Sequence, residues 1–114
     1  DNIVFDLQVE EVSLPIDYAT TLGLLINELI TNSMKYAFVS NSGIIKVSLV
    51  EVNPNEYLFN YADDGVGFDF DNQVSNNKTL GRKLIKMLAE EIGAELVVTN
   101  QEGVSYNFSF STKE

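Results

Sequence analysis

Apolar and polar positions along the chain predict five strands and two helices. Alternation of apolar and polar residues indicates each strand, because it is typical of strands with one buried face. Short turns between consecutive strands indicate which of them pair. They are Ile3 to Val9, Gly43 to Val52, Tyr57 to Ala62, Glu95 to Thr99 and Val104 to Phe110. The turn signals NPNE and NQEG join the last four strands into two antiparallel hairpins.

Two longer segments follow the periodicity of a helix. The first is predicted to run from an N-cap at Asp17 to about Ala37, and the second from an N-cap at Thr79 to about Ile92, with Gly93 as its stop. The buried face of the first helix is predicted to carry Leu22, Leu25, Ile26, Leu29 and Ser33. This order of elements predicts an α+β two-layer sandwich, with both helices on one face of a mixed or mostly antiparallel sheet. Without repeats or a composition shift, residues 1–114 are expected to form a single domain.

Composition excludes several kinds of chemistry. The chain has 114 residues, of which 45% are hydrophobic, and neither cysteine nor histidine. This excludes zinc sites of thiolate or imidazole, Cys and Ser-His nucleophiles, and a phosphoacceptor histidine within the chain. No apolar run reaches membrane-spanning length and cysteine is absent, so we expect a cytoplasmic domain without direct membrane contact.

The charge balance argues against a nucleic-acid partner. Seven Lys and Arg stand against 17 Asp and Glu, for a net charge of -10, whereas a nucleic-acid backbone requires a basic surface. One small anion remains compatible, if a lysine, a helix N-terminus and a divalent ion act together. The chain starts at Asp1 rather than Met, so we expect it to be a piece of a longer protein.

The segment INELITNSMKYAF on the first helix combines three polar functions. Glu28, Asn32 and Lys35 recur at i, i+4 and i+7 and are predicted to share one stripe of the helix. An amide oxygen ligates Mg²⁺ without adding charge, a lysine reaches a phosphate oxygen, and a carboxylate positions or deprotonates a nucleophile. The alternative is an ordinary solvated helix face, and this stretch alone does not decide between them.

The segment YADDGVGFDF places two acids and two glycines after a strand. With Gly65 at position six of a calcium loop, Ala62 falls at position three, which requires a ligand, so an EF-hand-like site is unlikely on spacing. A plain turn explains Asp64 and Gly65, but a second glycine at Gly67 exceeds what one turn needs. Such glycines allow the backbone to approach a flat ligand, and Asp63 is placed to accept a hydrogen bond from an exocyclic amine.

The segment KTLGRKLIKMLAEEIGAEL opens the second helix. Lys78, Arg82 and Lys83 cluster near Gly81, whose backbone N–H would lie at the positive end of the helix dipole, where anions bind. An ordinary capped amphipathic helix is the alternative.

Together and in this order, the three segments resemble the N box, G1 box and G2 box of the Bergerat ATP-binding fold. This superfamily contains sensor histidine kinases, gyrase, MutL and heat-shock chaperones. The likeness is greatest to histidine kinases with a glutamate in the N box, a short lid and a G2 box of the form SLGL, here TLGR. It covers about Leu22 to Phe110.

The resemblance implies a role for each polar residue of the first helix. Asn32 would be the Mg²⁺ ligand, and Glu28 would stand where the superfamily places its base or polarising carboxylate. Lys35 would contact phosphate, and Tyr36 would pack near the adenine or ribose.

The resemblance also implies the base and phosphate contacts. Asp63 would bind the adenine amino group, while Gly65 and Gly67 would shape the pocket floor. Residues 68–80 would form the lid, and Gly81 would meet the phosphates.

Within the G2 box, the resemblance carries Thr79 and Leu80 over as nucleotide-binding residues, together with Arg82. Arg82 stands where the family usually has Leu, so it would either weaken lid packing or add a phosphate contact. Ala94 and Val104 replace a Gly and a Thr that are common in the family.

The family implies three hypotheses for the function. In the first, the chain is the catalytic domain of a two-component sensor histidine kinase, which binds ATP and Mg²⁺ and donates the γ-phosphate to a histidine of a separate dimerisation domain. That domain would in turn serve a response regulator. The second hypothesis is an anti-sigma-factor-type serine kinase of the same superfamily, and the third is a degenerate, non-catalytic nucleotide-binding or interaction module.

Overall fold

The elements follow one another in the order that the hydrophobic pattern predicts. The computed structural model describes the backbone of residues 3–37, 43–65, 76–101 and 103–112. Within these ranges it describes the side chains of all residues except 36–37, 76–81 and 100–101. The elements are β1 (Ile3–Val9), α1 (Ile16–Asn32), a π-helical turn (Ser33–Ala37), β2 (Gly43–Asn53), β3 (Glu56–Asp63), α2 (Asn76–Glu91), β4 (Glu95–Gln101) and β5 (Gly103–Ser111).

The described strands form one mixed sheet in the order β1-β2-β3-β5-β4. β1 is parallel to β2, to which α1 connects it, and all other neighbours are antiparallel, including the two predicted hairpins. The predicted α+β architecture is therefore confirmed, and the single parallel pair makes the sheet mixed.

Alternation along the strands gives the sheet one deeply buried face. Cross-strand aromatic pairs cover this face between β3 and β5: Tyr57–Phe110, Phe59–Phe108 and Tyr61–Tyr106. Their ring centroids lie 5.4, 5.4 and 6.3 Å apart, within the range of favourable aromatic contacts.

Both helices pack on that same face and complete the core. The 3-4 spacing of α1 buries Leu22, Leu25 and Leu29, as predicted. The apolar stripe of α2 buries Ile85, Leu88, Ala89 and Ile92 in the same cluster. The chain thus has a continuous core of its own.

The first helix differs from its prediction at both ends. It begins at Ile16, so Asp17 lies in the first turn and is not the N-cap. Pro15 stands before the helix instead, with its carbonyl accepting the N–H of Ala19 at 3.1 Å. Proline is well suited to a helix entrance because its φ is fixed and it has no N–H to satisfy. The helix does continue to Ala37, but its last turn is π-helical.

The second helix begins earlier than predicted. It starts at Asn76, so Thr79 is not its N-cap and residues 76–80, expected to end the lid, are helical. The letters SNN before Thr79 are also capping residue types, so the sequence alone did not single out the start. At the other end, Gly93 adopts φ +65° and stops the helix as predicted.

Candidate functional site

Asp63 ends β3 on the buried face of the sheet. The period of two along the strand puts its carboxylate on the same side as the Phe59 and Tyr61 rings, one step past the last aromatic pair. Its side chain is only 7% exposed. A buried carboxylate requires compensating hydrogen bonds, so its partners define what it can do.

Both oxygens of Asp63 accept hydrogen bonds from the protein. Oδ1 accepts the backbone N–H of Gly65 at 3.0 Å and that of Val104 at 3.4 Å. Oδ2 accepts the hydroxyl of Ser33 at 2.9 Å. The Val104 contact uses the backbone N–H, so it does not depend on the side chain at this position. Within the described part of the chain, the partners of the carboxylate are donors, which leaves it suited to a ligand that also donates.

Ser33 links this carboxylate to Tyr61. The Ser33 Oγ and the Tyr61 hydroxyl lie 2.7 Å apart, and both side chains are buried. Burial raises the pKa of Tyr61 above its ordinary value; the Ser33 hydrogen bond opposes this, and the charge of Asp63 adds to it. Tyr61 therefore stays protonated and available as a donor at neutral pH.

The predicted polar stripe lies at the C-terminal end of α1. Asn32 is the last residue of α1 and directly precedes Ser33, whose hydroxyl binds Asp63. Glu28 lies one turn earlier, and both are partly buried. Lys35 is exposed in the π-helical turn, whose wider winding rotates it away from the ideal α-helical stripe.

A cavity of about 380 Å³ opens between α2 and the β4–β5 hairpin. Its walls are mostly apolar, with charged residues among them: Arg82, Ile85, Lys86, Ala89, Glu90, Ala94, Leu96, Val98 and Tyr106. Burial, and then the charges of Asp63 and Tyr61, raise the pKa of the cavity residue Tyr106 above its ordinary value, whereas Arg82 lowers it. The volume lies within the usual range of small-molecule pockets.

The structure describes only some of the remaining residues of the predicted site. Gly65 donates to Asp63 as described, whereas Gly67 lies outside the described residues, as do positions 68–75 of the predicted lid. Thr79, Leu80 and Gly81 belong to α2, and Tyr36 to the π-helical turn, without described side chains. Because the helix starts at Asn76, Gly81 lies past the first turn, and its N–H is not among the free amides of the helix start. That reason for an anion contact at Gly81 was wrong, and the contact itself stays a prediction.

Asp64, unlike Asp63, forms hydrogen bonds that join two strands. Its Oδ1 accepts the N–H of Ile44 at 2.8 Å, and its own N–H donates to the Ile44 carbonyl at 3.2 Å. The exposed acid thus fastens the end of β3 to the start of β2.

Sequence reasoning missed Ser33 and Tyr61 as parts of the site. Ser33 was placed on the buried helix face but given no partner, although a hydroxyl within an apolar stripe must find one. Tyr61 lies two residues before Asp63, so both side chains point to the same face of the strand. The alternation of the sequence already indicates this.

Comparison with known proteins identifies the class. The sequence is 31% identical over 98 residues to blue-light-activated histidine kinase 2 of Erythrobacter litoralis (strain HTCC2594), which matches 85% of this chain and 28% of that protein. It is 27% identical over 94 residues to the sensor histidine kinase ComP of Bacillus subtilis (strain 168), at 82% of this chain and 12% of that protein. The chain therefore spans less than a third of the curated relatives it matches. No protein-family model matches the sequence.

Solved structures agree with the sequence comparison. A blue-light activated histidine kinase of Erythrobacter litoralis superposes with a TM-score of 0.83 at 29% identity, over 96% of this chain and 35% of that one. The histidine kinase AdeS of Acinetobacter baumannii reaches a TM-score of 0.73 at 17% identity, over 98% of this chain and 55% of that one, and shows the fold alone.

The fold is that of the ATP-binding domain of histidine kinases. The chain is an ATP-binding domain of this type, which confirms the resemblance to histidine kinases, while the subfamily with a glutamate in the N box and a short lid stays a prediction. In the described part of the chain, neither helix is long and apolar enough to cross a membrane.

Proposed function

We propose that this chain is the catalytic domain of a cytoplasmic sensor histidine kinase. It binds ATP with Mg²⁺ and presents the γ-phosphate to a histidine on a separate dimerisation domain, from which a response regulator receives it. The observation that carries the proposal is the buried Asp63 carboxylate, which accepts hydrogen bonds from Ser33, Gly65 and Val104. The phosphoacceptor must be supplied by another domain, because the chain has no histidine.

The donor set around Asp63 fits an adenine base. A carboxylate that already accepts three protein hydrogen bonds discriminates in favour of a group that donates, as the 6-amino group of adenine does. The cavity between α2 and the β4–β5 hairpin has mostly apolar walls and includes the cationic side chains of Arg82 and Lys86. A cation at the cavity rim suits an anionic ligand in a chain whose net charge is -10.

The residues of the first helix fit Mg²⁺ and phosphate. The Asn32 side-chain oxygen is a hard, neutral ligand that Mg²⁺ accepts, and phosphate oxygens and water complete its coordination in such sites. Lys35 is exposed and free to reach a phosphate, and Glu28 lies one helical turn before Asn32, where it positions or polarises the acceptor. When bound, Mg²⁺ neutralises the charge that develops on the transferred phosphoryl group. This chain contributes positioning, so its catalytic effect depends on the arrangement of these three side chains.

Asn32 can be tested against a matched control. We expect Asn32→Ala to abolish the gain in ATP affinity that Mg²⁺ gives over EDTA. Asn27→Ala removes the same functional group from an exposed position of the same helix and should leave that gain intact. An unchanged Mg²⁺ effect in Asn32→Ala would contradict the metal assignment.

Phosphotransfer tests the reaction. In a protein that joins this chain to a phosphoacceptor domain, label from the γ-phosphate of ATP should appear on protein as acid-labile, alkali-stable phosphate, which is typical of phosphohistidine. Glu28→Gln should lower the rate of labelling more than it lowers ATP affinity. Acid-stable label would indicate a serine kinase instead, and ATP binding without any label would indicate a non-catalytic module.

A further inference from the structure

We propose that Ser33 and Tyr61 are positioning residues that set the preference of the site for a 6-aminopurine. Neither side chain is expected to touch the ligand. They act through Asp63, by a chain of hydrogen bonds from the Tyr61 hydroxyl to Ser33 Oγ and on to Asp63 Oδ2. This inference rests on the proposed function and assigns a determinant of specificity within it.

The direction of the two hydrogen bonds follows from the proton count. A carboxylate has no proton to give, so Ser33 uses its single hydroxyl proton to donate to Asp63 at 2.9 Å. Ser33 Oγ can then only accept from Tyr61 at 2.7 Å, which fixes the tyrosine as the first donor. Tyr61 is fully buried and Ser33 is 3% exposed, so water does not substitute readily for either group.

The chain of donors fixes the carboxylate in one orientation and one role. Oδ1 is held by the amides of Gly65 and Val104, and Oδ2 by Ser33, so rotation of the group breaks contacts on both sides. A carboxylate held in this way accepts from the 6-amino group of adenine. It repels the 6-oxo group of inosine or guanine, because that group is also an acceptor.

Removal of the Ser33 hydroxyl should weaken the preference for a 6-amino group over a 6-oxo group. Without it, Oδ2 is buried with one donor fewer, and the carboxylate is free to turn away from the orientation in which it accepts from a 6-amino group. A hydrogen bond to a charged group corresponds to about a tenfold change in affinity or more. We therefore expect Ser33→Ala to lower the ratio of ATP affinity to ITP affinity by about tenfold.

The test is titration calorimetry of the chain with Mg-ATP and Mg-ITP. Wild type should bind ATP more tightly than ITP, Ser33→Ala should lose most of the difference, and Ser33→Thr, which keeps a hydroxyl, should retain it. Tyr61→Phe should lower the ratio in the same direction, without adding to the effect in the double variant. Tyr57→Phe is the control, because it removes a buried tyrosine hydroxyl from the same face of β3, where the partner is the Ser13 carbonyl at 3.4 Å.

The outcomes separate the inference from the function on which it rests. Wild-type ratios in both Ser33→Ala and Tyr61→Phe, with ATP binding intact, overturn the inference and leave the function standing. If Ser33→Ala does not fold, Ser33→Thr and Tyr61→Phe decide in its place, since each retains most of the packing. Failure of the wild-type chain to bind either nucleotide overturns the proposed function, and the inference with it.

Discussion

Gly103 supports the end of β3 from the opposite strand, and its replacement by alanine tests this geometry. Gly103 starts β5 with φ +101°, a conformation that side chains disfavour. A Cβ at this position would press against the carbonyl oxygen of Asp63, and it would lie 2.9 Å from the carbonyl carbon and 3.0 Å from Asp64 Cα. These are backbone atoms, so the strand end itself has to move.

The expected cost has two parts. The left-handed backbone disfavours alanine by about 1–2 kcal/mol, and overpacking of a closed site adds about 1–3 kcal/mol. Gly103→Ala should therefore destabilise the fold by about 2–5 kcal/mol. Gly93→Ala is the matched control, since Gly93 also has a positive φ of +65° but a Cβ there meets no described atom within 4 Å. Only the backbone part, about 1–2 kcal/mol, should remain.

Urea unfolding measures both costs. The chain has no tryptophan, so far-UV circular dichroism is the suitable signal. With a slope of about 2 kcal/mol per molar urea, a loss of about 4 kcal/mol lowers the midpoint by about 2 M. A loss of about 1 kcal/mol in Gly93→Ala lowers it by about 0.5 M. Where both variants are folded, only Gly103→Ala should also weaken ATP binding, because it displaces Asp63.

Equal midpoints for the two variants would refute the close approach of Gly103 to β3. A destabilised Gly103→Ala that binds ATP like wild type would show instead that the strand end yields without moving the carboxylate.

Two further predictions concern stability. Gly23→Ala should raise the free energy of unfolding by about 0.5–1 kcal/mol in urea titrations, because alanine favours the helix. The added Cβ would meet no described atom within 4 Å. A loss of stability would contradict the placement of Gly23. Burial raises the pKa of Tyr61 and Tyr106 above 10.0, so the folded state holds their protons more tightly than the unfolded state does. Their contribution is complete below that pH and declines as the pH rises towards the folded-state pKa, by about 1.4 kcal/mol per pH unit for each tyrosine. Tyr61→Phe should flatten this decline, and an unchanged slope would argue against its burial.

The strands were predictable because their signals are local. Alternation identified each strand, and turn residues identified both hairpins, so the observed bounds differ from the predicted ones by one or two residues at most. The helix starts were less predictable, since several capping residue types precede Thr79 and both Pro15 and Asp17 are suited to the start of the first helix. Tertiary packing decides among such local alternatives.

The site was predictable only in part, because its key contact is not local. Motif spacing pointed to Asp63, Asn32 and Gly65, but Ser33 and Asp63 are 30 positions apart in sequence. The two residues meet because of the register of the sheet and because of the face of α1 that packs on it. Motif spacing predicts neither. The π-helical turn that starts at Ser33 had no signature in the hydrophobic pattern.

The most direct test of the central claim compares two adjacent acids by titration with Mg-ATP. Asp63 is buried and accepts from three described donors, whereas Asp64 is exposed and binds the start of β2. We predict saturable binding by the wild-type chain, retention of it in Asp64→Asn, and loss of it in Asp63→Asn, whose amide NH2 places a donor against one of the donors that the carboxylate accepts. Binding that survives in Asp63→Asn, or no binding by the wild type at millimolar nucleotide, would contradict the account.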